Sequence, residues 1–304
     1  MKHNLKITLL ILAIFLLAQF IGILIVKNYI DTEKTTEAGK TVFKELPIGE
    51  RPPLEESTSF LWIMLAIILG TGIFLLIAKF NLTIIWKIWF LLAVVIALSV
   101  AFGAFIPTLY AFILAGIVGM WKIFKPNFWV QNISELFIYG GLAAIFSPLL
   151  NLWSMSILLV LIAAYDAYAV WSSKHMIKLA ESQTKAKIFA GLLIPYELPK
   201  RKNLSQKVVG KAKKVVGKVK KSVKEIKVKT AILGGGDIGF PLIFAGVVLK
   251  EWGLWQSLLM PLFAALGLGF LLWKGKKDRF YPAMPFISAG CFLGLFVVWL
   301  LSYF

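Results

Sequence analysis

Apolar runs about 20 residues long recur along this chain, and a run of that length crosses a bilayer as a helix. Hydrophobic residues make up 59% of the 304 positions, the mean hydropathy is +0.82, and only 16% of residues are charged. Soluble domains carry about a quarter of their residues charged, and a single water-soluble core cannot hide this much apolar surface. The composition therefore predicts a membrane protein.

We predict an all-α polytopic membrane protein with nine transmembrane helices. The first is expected to be a retained helix, because it is long enough to span and no small-x-small cleavage site follows it. Pro107 and the short gap at residues 102–108 indicate that 81–124 holds two helices. Trp and Tyr recur near the predicted ends, where interfacial belts are expected. The predicted spans are residues 5–27, 58–79, 81–102, 104–124, 129–150, 152–173, 229–250, 252–273 and 281–302.

The charges of the connections predict the orientation of the chain. Loop 28–57 carries seven acidic residues against four basic ones, whereas the connections at 79–81, 121–127 and 274–279 are positive. Positive and non-positive connections alternate across the nine predicted spans. By the positive-inside rule, the N-terminus is then cytoplasmic and the C-terminus lies outside.

Three regions follow from this pattern: helices one to six in residues 1–173, a basic cytoplasmic loop at 174–228, and helices seven to nine in residues 229–304. Within the loop, 207–221 is a near-duplication of lysines and valines, which is typical of a solvated cytoplasmic linker or of a basic amphipathic segment lying on anionic lipid. Nucleic acid is not expected, because no stacking aromatic residues accompany the lysines. Residues 188–198 are apolar but too short to span, so we expect a re-entrant or interfacial segment such as a short helix.

Only three of the 15 acidic residues fall inside predicted spans: Glu135, Asp166 and Asp237. A carboxylate at mid-helix costs about 2.5–3.5 kcal/mol on insertion scales, so each of the three is a functional candidate. Asp166 lies seven residues from the cytoplasmic end of span six, and Asp237 lies eight from the cytoplasmic start of span seven. At 1.5 Å per residue, both are expected about 10–12 Å below the same interface, on adjacent helices.

Two carboxyl groups that meet cannot easily both ionise, so they tend to share one proton. The ionised member can deprotonate water while the protonated member donates to a carbonyl oxygen, which is the chemistry that hydrolyses a peptide bond. The same residues also fit an Asp pair that only links two helices, or a proton-coupled transporter or channel.

Other candidate residues are assigned simpler roles. We expect Glu135, beside Gln131, to make a satisfied polar or water-lined contact rather than to catalyse. No metal site and no cofactor is indicated, because the chain has one cysteine, Cys291, and two histidines, His3 and His175.

Two local motifs lie near the predicted aspartate pair. Gly234, Gly235 and Gly236 precede Asp237, and each weakens a helix by about 1 kcal/mol relative to alanine. They would let a substrate backbone come close, although small residues also occur at tight helix crossings. Residues 282–285 read PAMP, and the two prolines predict a stiff, non-helical entry to span nine.

Three elements follow in order along the chain: Tyr165-Asp166, Gly234-Gly235-Gly236-Asp237 and Pro282-Ala283-Met284-Pro285. Together they resemble the YD, GxGD and PAL motifs of the presenilin and signal peptide peptidase family of intramembrane aspartyl proteases. The resemblance covers essentially the whole chain. Met284 departs from the leucine of the family motif, a change that nearly conserves volume.

The resemblance implies that Asp166 and Asp237 are the catalytic pair. It also implies that Tyr165, the three glycines and the PAMP residues shape the active site and dock a transmembrane helical substrate. The predicted orientation is similar to the presenilin branch, which implies single-span substrates with an N-terminus outside. A prepilin-type signal peptidase, which also uses a GxGD aspartate, is a further alternative. Compact loops fit a prokaryotic cell membrane.

Overall fold

The computed structural model describes residues 5–80, 82–172, 190–195, 230–275 and 281–301, and helices dominate these ranges. Segment 207–221 and most of loop 174–228 lie outside the described residues, so the expected lipid contact there stays a prediction. The helices are α1 (Leu5–Asn28), α2 (Thr32–Ala38), α3 (Ser59–Lys79), α4 (Thr83–Gly103), α5 (Thr108–Phe124), α6 (Phe128–Phe146), α7 (Leu152–Trp171), α8 (Gly235–Trp252), α9 (Leu254–Lys274) and α10 (Met284–Leu301). A 3₁₀ turn, Ser147–Leu149, follows α6, and strands β1 (Gly191–Pro195) and β2 (Thr230–Gly234) pair in a two-stranded sheet.

Seven of these helices are long and apolar enough to cross a membrane: α1, α3, α4, α6 with its 3₁₀ turn, α7, α9 and α10. Helix α5 is apolar but has 17 residues. Helix α8 has 18 residues and carries Asp237, Lys250 and Glu251. The structure thus supports a multi-pass, mostly helical membrane protein, with seven spans by length and composition among the described residues.

One sequence prediction is wrong at the sheet: residues 229–250 were expected to be one helix, but 230–234 form β2. Residues 188–198 were expected to be a re-entrant or interfacial segment such as a short helix, and 191–195 form the strand β1 rather than a helix. The error has a physical cause, because a short apolar run has the same composition whether it is a strand or part of a helix. Gly191, with φ 152°, and Pro195 at the two ends of β1 also disfavour a helix there.

The described chain forms two compact units. Residues 1–192 and 233–304 make the larger unit, which holds all ten helices. Residues 193–232 make the smaller unit. Within it, the structure describes residues 193–195 of β1 and 230–232 of β2.

The larger unit is built around α8. Its residues from Ile238 to Leu249 are buried with few exceptions, which is the pattern of a helix surrounded by other helices. Helix α8 contacts α1, α6, α7, α9 and α10. Small residues allow close helix approach elsewhere: a Cβ at Gly141 would overlap the carbonyl oxygen of Ala97, and one at Gly267 would overlap that of Phe286.

The acidic loop 28–57 is tied to the helices at the other end of α8. Thr41 Oγ1 donates to the Lys250 carbonyl oxygen at 2.7 Å, and Lys250 Nζ lies 2.5 Å from Glu56 Oε2. The Tyr29 hydroxyl donates to the Val100 carbonyl oxygen on α4 at 2.8 Å, and burial raises the pKa of Tyr29 to about 12. The phenol therefore stays neutral and keeps this bond at physiological pH.

Candidate active site

Asp166 lies on α7, on the last turns of that helix. Helix α7 begins with a capping box, in which the Asn151 side chain accepts from the Ser154 amide at 2.8 Å and Ser154 Oγ accepts from the Asn151 amide. Asp166 is half-buried, and its Oδ2 accepts a hydrogen bond from the backbone N–H of Met284 at 3.1 Å. Asp166 is thereby bound to the first residue of α10.

The PAMP segment forms the beginning of α10. Pro282 and Ala283 precede the helix, while Met284 and Pro285 are already its first two residues. The predicted non-helical stretch is therefore limited to the first half of the motif. The physical reason is that amides in the first turn have no intrahelical partner, so a proline there costs the helix no hydrogen bond. Pro285 also lines an apolar groove of about 480 Å³ between α9 and α10.

Asp237 lies in the first turn of α8, at its third residue. It was expected eight residues inside a helix, and that position is wrong because β2 occupies the preceding residues. Gly234 is the N-cap residue, and a Cβ there would lie 3.2 Å from Asp237 Oδ2. The carboxylate is folded back over the beginning of its own helix, where the positive end of the helix dipole stabilises negative charge.

The three glycines before Asp237 occupy different environments. The Gly235 amide donates to the Ala190 carbonyl oxygen at 3.2 Å, and a Cβ on Gly235 would lie 3.0 Å from the Tyr139 hydroxyl oxygen. Gly236 is exposed, and a Cβ there would meet only Phe240 at an ordinary 3.5 Å. Close packing therefore requires the glycine at 235, whereas 236 has open space beside it.

Helix α1 also holds the beginning of α8. Gln19, which is fully buried on α1, donates from Nε2 to the Ile238 carbonyl oxygen at 2.9 Å. In a regular helix, the carbonyl oxygen of Asp237 would accept a hydrogen bond from the N–H of residue 241. That residue is Pro241, which has no N–H. The backbone around Asp237 is thus fixed from outside α8 as well as from within it.

The three motif-bearing helices contact one another pairwise: α7 with α8, α7 with α10, and α8 with α10. Each carboxylate lies at a helix N-terminus, Asp166 at that of α10 and Asp237 at that of α8. Helix N-termini are favourable places for negative charge because their free amides and dipoles point toward it. Two carboxylates on contacting helices are suited to acid–base chemistry on water.

Two further residues selected from the sequence have side-chain partners on other helices. The Tyr165 hydroxyl is 3.4 Å from Thr71 Oγ1 on α3. Glu135 is buried and forms an ion pair with Lys122 Nζ at 2.6 Å, which confirms the prediction of a satisfied polar contact.

Sequence reasoning missed Lys122, Gln19 and Tyr139 as neighbours of this region. A weak signal exists for Tyr139, because Gln131, Glu135 and Tyr139 are polar residues spaced by four on a mostly apolar helix. Lys122 and Gln19 have no such local signal, since their partners lie on other helices. Among the described residues, no cluster of three His, Cys, Asp or Glu side chains could hold a metal ion.

The sequence model of the family described as "Signal-peptide peptidase, presenilin aspartyl protease" matches residues 12–303. No curated protein matches significantly.

Two solved structures share the fold, both described as a presenilin family intramembrane aspartate protease. The structure in space group C222 has a TM-score of 0.62 at 20% identity, covering 97% of this chain and 99% of the other. The structure in space group P2 has a TM-score of 0.56 at 21% identity, covering 95% and 96%. The family match extends over nearly the entire chain, and we conclude that the chain belongs to the signal peptide peptidase and presenilin family of aspartyl proteases.

Proposed function

We propose that this protein is an intramembrane aspartyl protease whose catalytic pair is Asp166 and Asp237. The observation that carries the proposal is the pairwise contact of α7, α8 and α10, with the Met284 amide bound to Asp166. Family membership supports the peptidase activity. Neither the family match nor the similar folds support a transporter or a prepilin-type peptidase.

In the proposed reaction, one aspartate is ionised and the other protonated. The ionised carboxylate takes a proton from water while the oxygen of that water attacks the peptide carbon, and the protonated carboxyl donates its proton to the carbonyl oxygen. Collapse of the tetrahedral intermediate breaks the C–N bond, and the amine leaves with a proton returned by the pair. Because two coupled carboxyl groups titrate as a unit, we assign the base role to the pair rather than to one residue.

The proposed substrates are transmembrane helices that unwind locally. The carbonyls of an intact helix are enclosed by its own turns, so the scissile bond must become extended before water can attack. Leu233 and Gly234 are extended, and the exposed Gly236 has open space beside it. A substrate backbone can therefore approach the Asp237 side of the pair at the glycines.

We further propose nine spans with a cytoplasmic N-terminus, in which α5 and α8 also cross the membrane. This orientation rests on the alternation of basic and non-basic connections. It predicts cleavage of single-span substrates whose N-terminus lies outside. Contact of segment 207–221 with anionic lipid, and residence in a prokaryotic cell membrane, belong to the same proposal.

The experiment is proteolysis in reconstituted vesicles, with a fluorogenic substrate carrying one transmembrane helix. Wild type is compared with Asp166→Asn and Asp237→Asn, because asparagine has nearly the same shape but cannot exchange the catalytic proton. We expect each variant to lose at least about a hundredfold in turnover, the scale of a general acid or base. Asp31→Asn, at the N-cap of α2 and outside the site, is the control and should retain wild-type turnover.

Two outcomes would contradict the proposal. Proteolysis that survives Asp237→Asn or Asp166→Asn in a folded protein would exclude the pair. Solute or ion flux through the wild-type protein without proteolysis would favour the transporter.

A substrate series in both orientations tests the topology, since efficient cleavage of N-inside substrates alone would contradict the predicted orientation.

A further inference from the structure

Helix α6 carries a buried polar stripe: Gln131, Glu135 and Tyr139. The three residues are spaced by four, so their side chains lie on one face of the helix. Their exposed fractions are 7%, 1% and 3%, respectively. Polar groups are this deeply buried only where partners or a function compensate for lost hydration.

Lys122 on α5 anchors the first half of the stripe. Its Nζ lies 2.6 Å from Glu135 Oε1 and donates to Gln131 Oε1 at 2.7 Å. Gln131 Nε2 donates to the same Glu135 Oε1 at 2.9 Å and to the Gly191 carbonyl oxygen at 3.0 Å. The ion pair is thereby connected, through one amide side chain, to the backbone at the beginning of β1.

The backbone continues this connection to the candidate active site. Ala190, next to Gly191, accepts the hydrogen bond of the Gly235 amide at 3.2 Å. Gly235 is two residues before Asp237. A chain of hydrogen bonds and one peptide unit therefore runs from Lys122 to the first turn of α8.

Tyr139 approaches the same turn directly. Its ring and hydroxyl pack on Gly235, where a Cβ would lie 3.0 Å from the hydroxyl oxygen and 3.2 Å from Cε1. Within the described ranges, the buried hydroxyl has no hydrogen-bond partner. The carboxylates of Glu135 and Asp237 are both close enough to act electrostatically on this phenol.

We propose that Lys122, Gln131, Glu135 and Tyr139 form a positioning network that fixes the Gly234–Gly235 joint and, through it, the Asp237 carboxylate. The inference rests on the proposed function, because it takes Asp237 to be catalytic. A buried hydroxyl with no partner costs stability, and such groups are retained where they serve a function. In this network the Tyr139 hydroxyl, which packs on Gly235 two residues before Asp237, is the donor that the Asp237 carboxylate meets during turnover.

The first test compares two buried tyrosines that differ in their hydroxyl environment. Tyr139→Phe keeps the ring on Gly235 and removes only the unpartnered hydroxyl, so the melting temperature should stay equal or rise. Turnover should fall about tenfold with KM within about twofold, because a misplaced catalytic group affects kcat more than binding. Tyr29→Phe, which removes a hydroxyl bonded to Val100, should show the reverse: a lower melting temperature with wild-type kcat.

The second test interrupts the positioning network at its central residue. Gln131→Met has nearly the same size but cannot bond Glu135 or Gly191, and we expect a similar loss of kcat at unchanged KM. Lys122→Met combined with Glu135→Leu replaces the ion pair by apolar groups and should lower kcat without lowering the melting temperature.

The outcomes separate this inference from the proposed function. If Asp237→Asn is inactive while Tyr139→Phe and Gln131→Met turn over at the wild-type rate, the positioning network is wrong and the catalytic pair stands. If Asp237→Asn is active, both are wrong. A loss of kcat that only parallels a loss of melting temperature in every variant would show a structural role and would also overturn the network.

Discussion

At the residue scale, the central question is how two carboxylates are accommodated among apolar helices. An intramembrane carboxylate costs about 2.5–3.5 kcal/mol on insertion scales. A hydrogen bond to a charged group contributes about 1.5–3 kcal/mol, and a helix N-terminus contributes about 0.3–2 kcal/mol. The Met284 amide at Asp166, and the beginning of α8 at Asp237, supply stabilisation of this size. The backbone of the PAMP and GGGD motifs therefore matters as much as their side chains.

The first prediction tests this backbone donor. Met284→Pro removes the N–H that binds Asp166, while proline remains compatible with the first position of a helix. We expect proteolysis to fall at least tenfold, about the loss of a charge-assisted hydrogen bond, with the helix content by circular dichroism unchanged. Met284→Leu, the matched control, keeps the amide and nearly the same volume and should retain activity. Equal activities for the two variants would show that the bond has no catalytic consequence.

At the element scale, the glycine run is a strand-to-helix joint rather than the interior of a span. Small residues at 234–236 let β2 end and α8 begin against Tyr139 and the Ala190 carbonyl. In the sequence alone, substrate access and tight helix packing explain the glycines at 234–236 equally well. The structure assigns close packing to Gly235 and open space to Gly236.

The second prediction compares these adjacent glycines. Gly235→Ala forces a methyl group against the Tyr139 hydroxyl and ring, and overpacking of this kind costs about 1–3 kcal/mol. Gly236→Ala has room and should change stability by less than about 1 kcal/mol, in the favourable direction expected for a helix. Thermal unfolding in detergent checks both, and equal losses would contradict the environments described for the two positions.

At the scale of the whole molecule, two helices decide whether the chain has seven spans or nine. Helix α5 is 17 residues and α8 is 18, which at 1.5 Å per residue is about 25–27 Å, slightly less than a hydrocarbon core of about 30 Å. Local thinning of the bilayer, or polar side chains reaching the interface, can accommodate this mismatch. Length and composition alone therefore do not exclude either helix as a span.

The third prediction tests α5 by labelling. Cys291 is buried and is the one cysteine of the sequence, so Cys291→Ala gives a cysteine-free background. In intact cells, an impermeant maleimide should label Glu37→Cys in the acidic loop and should not label Lys125→Cys at the end of α5 until the membrane is permeabilised. Both positions are exposed on the protein. Immediate labelling of Lys125→Cys would place both ends of α5 on the outer side.

Much of the candidate site could be selected from the sequence because intramembrane acids are rare and costly. Asp166 and Asp237 were selected by type and position, and the ordered motifs identified the family that the profile match then confirmed. The depth of Asp237 could not be predicted, because residues 230–234 have an apolar composition compatible with either a helix or a strand. Helix boundaries inside apolar runs depend on what the backbone meets in the folded chain.

The membrane class, the mostly helical fold and the residues able to carry acid–base chemistry follow from the amino-acid sequence, since they depend on composition and local spacing. The groups that surround the acids depend instead on how the helices pack. The Met284 amide at Asp166 is a backbone group and has no signature in the residue type. Lys122 meets Glu135, and Gln19 meets Ile238, across 13 and 219 positions of sequence, so these contacts exist only once the helices have packed.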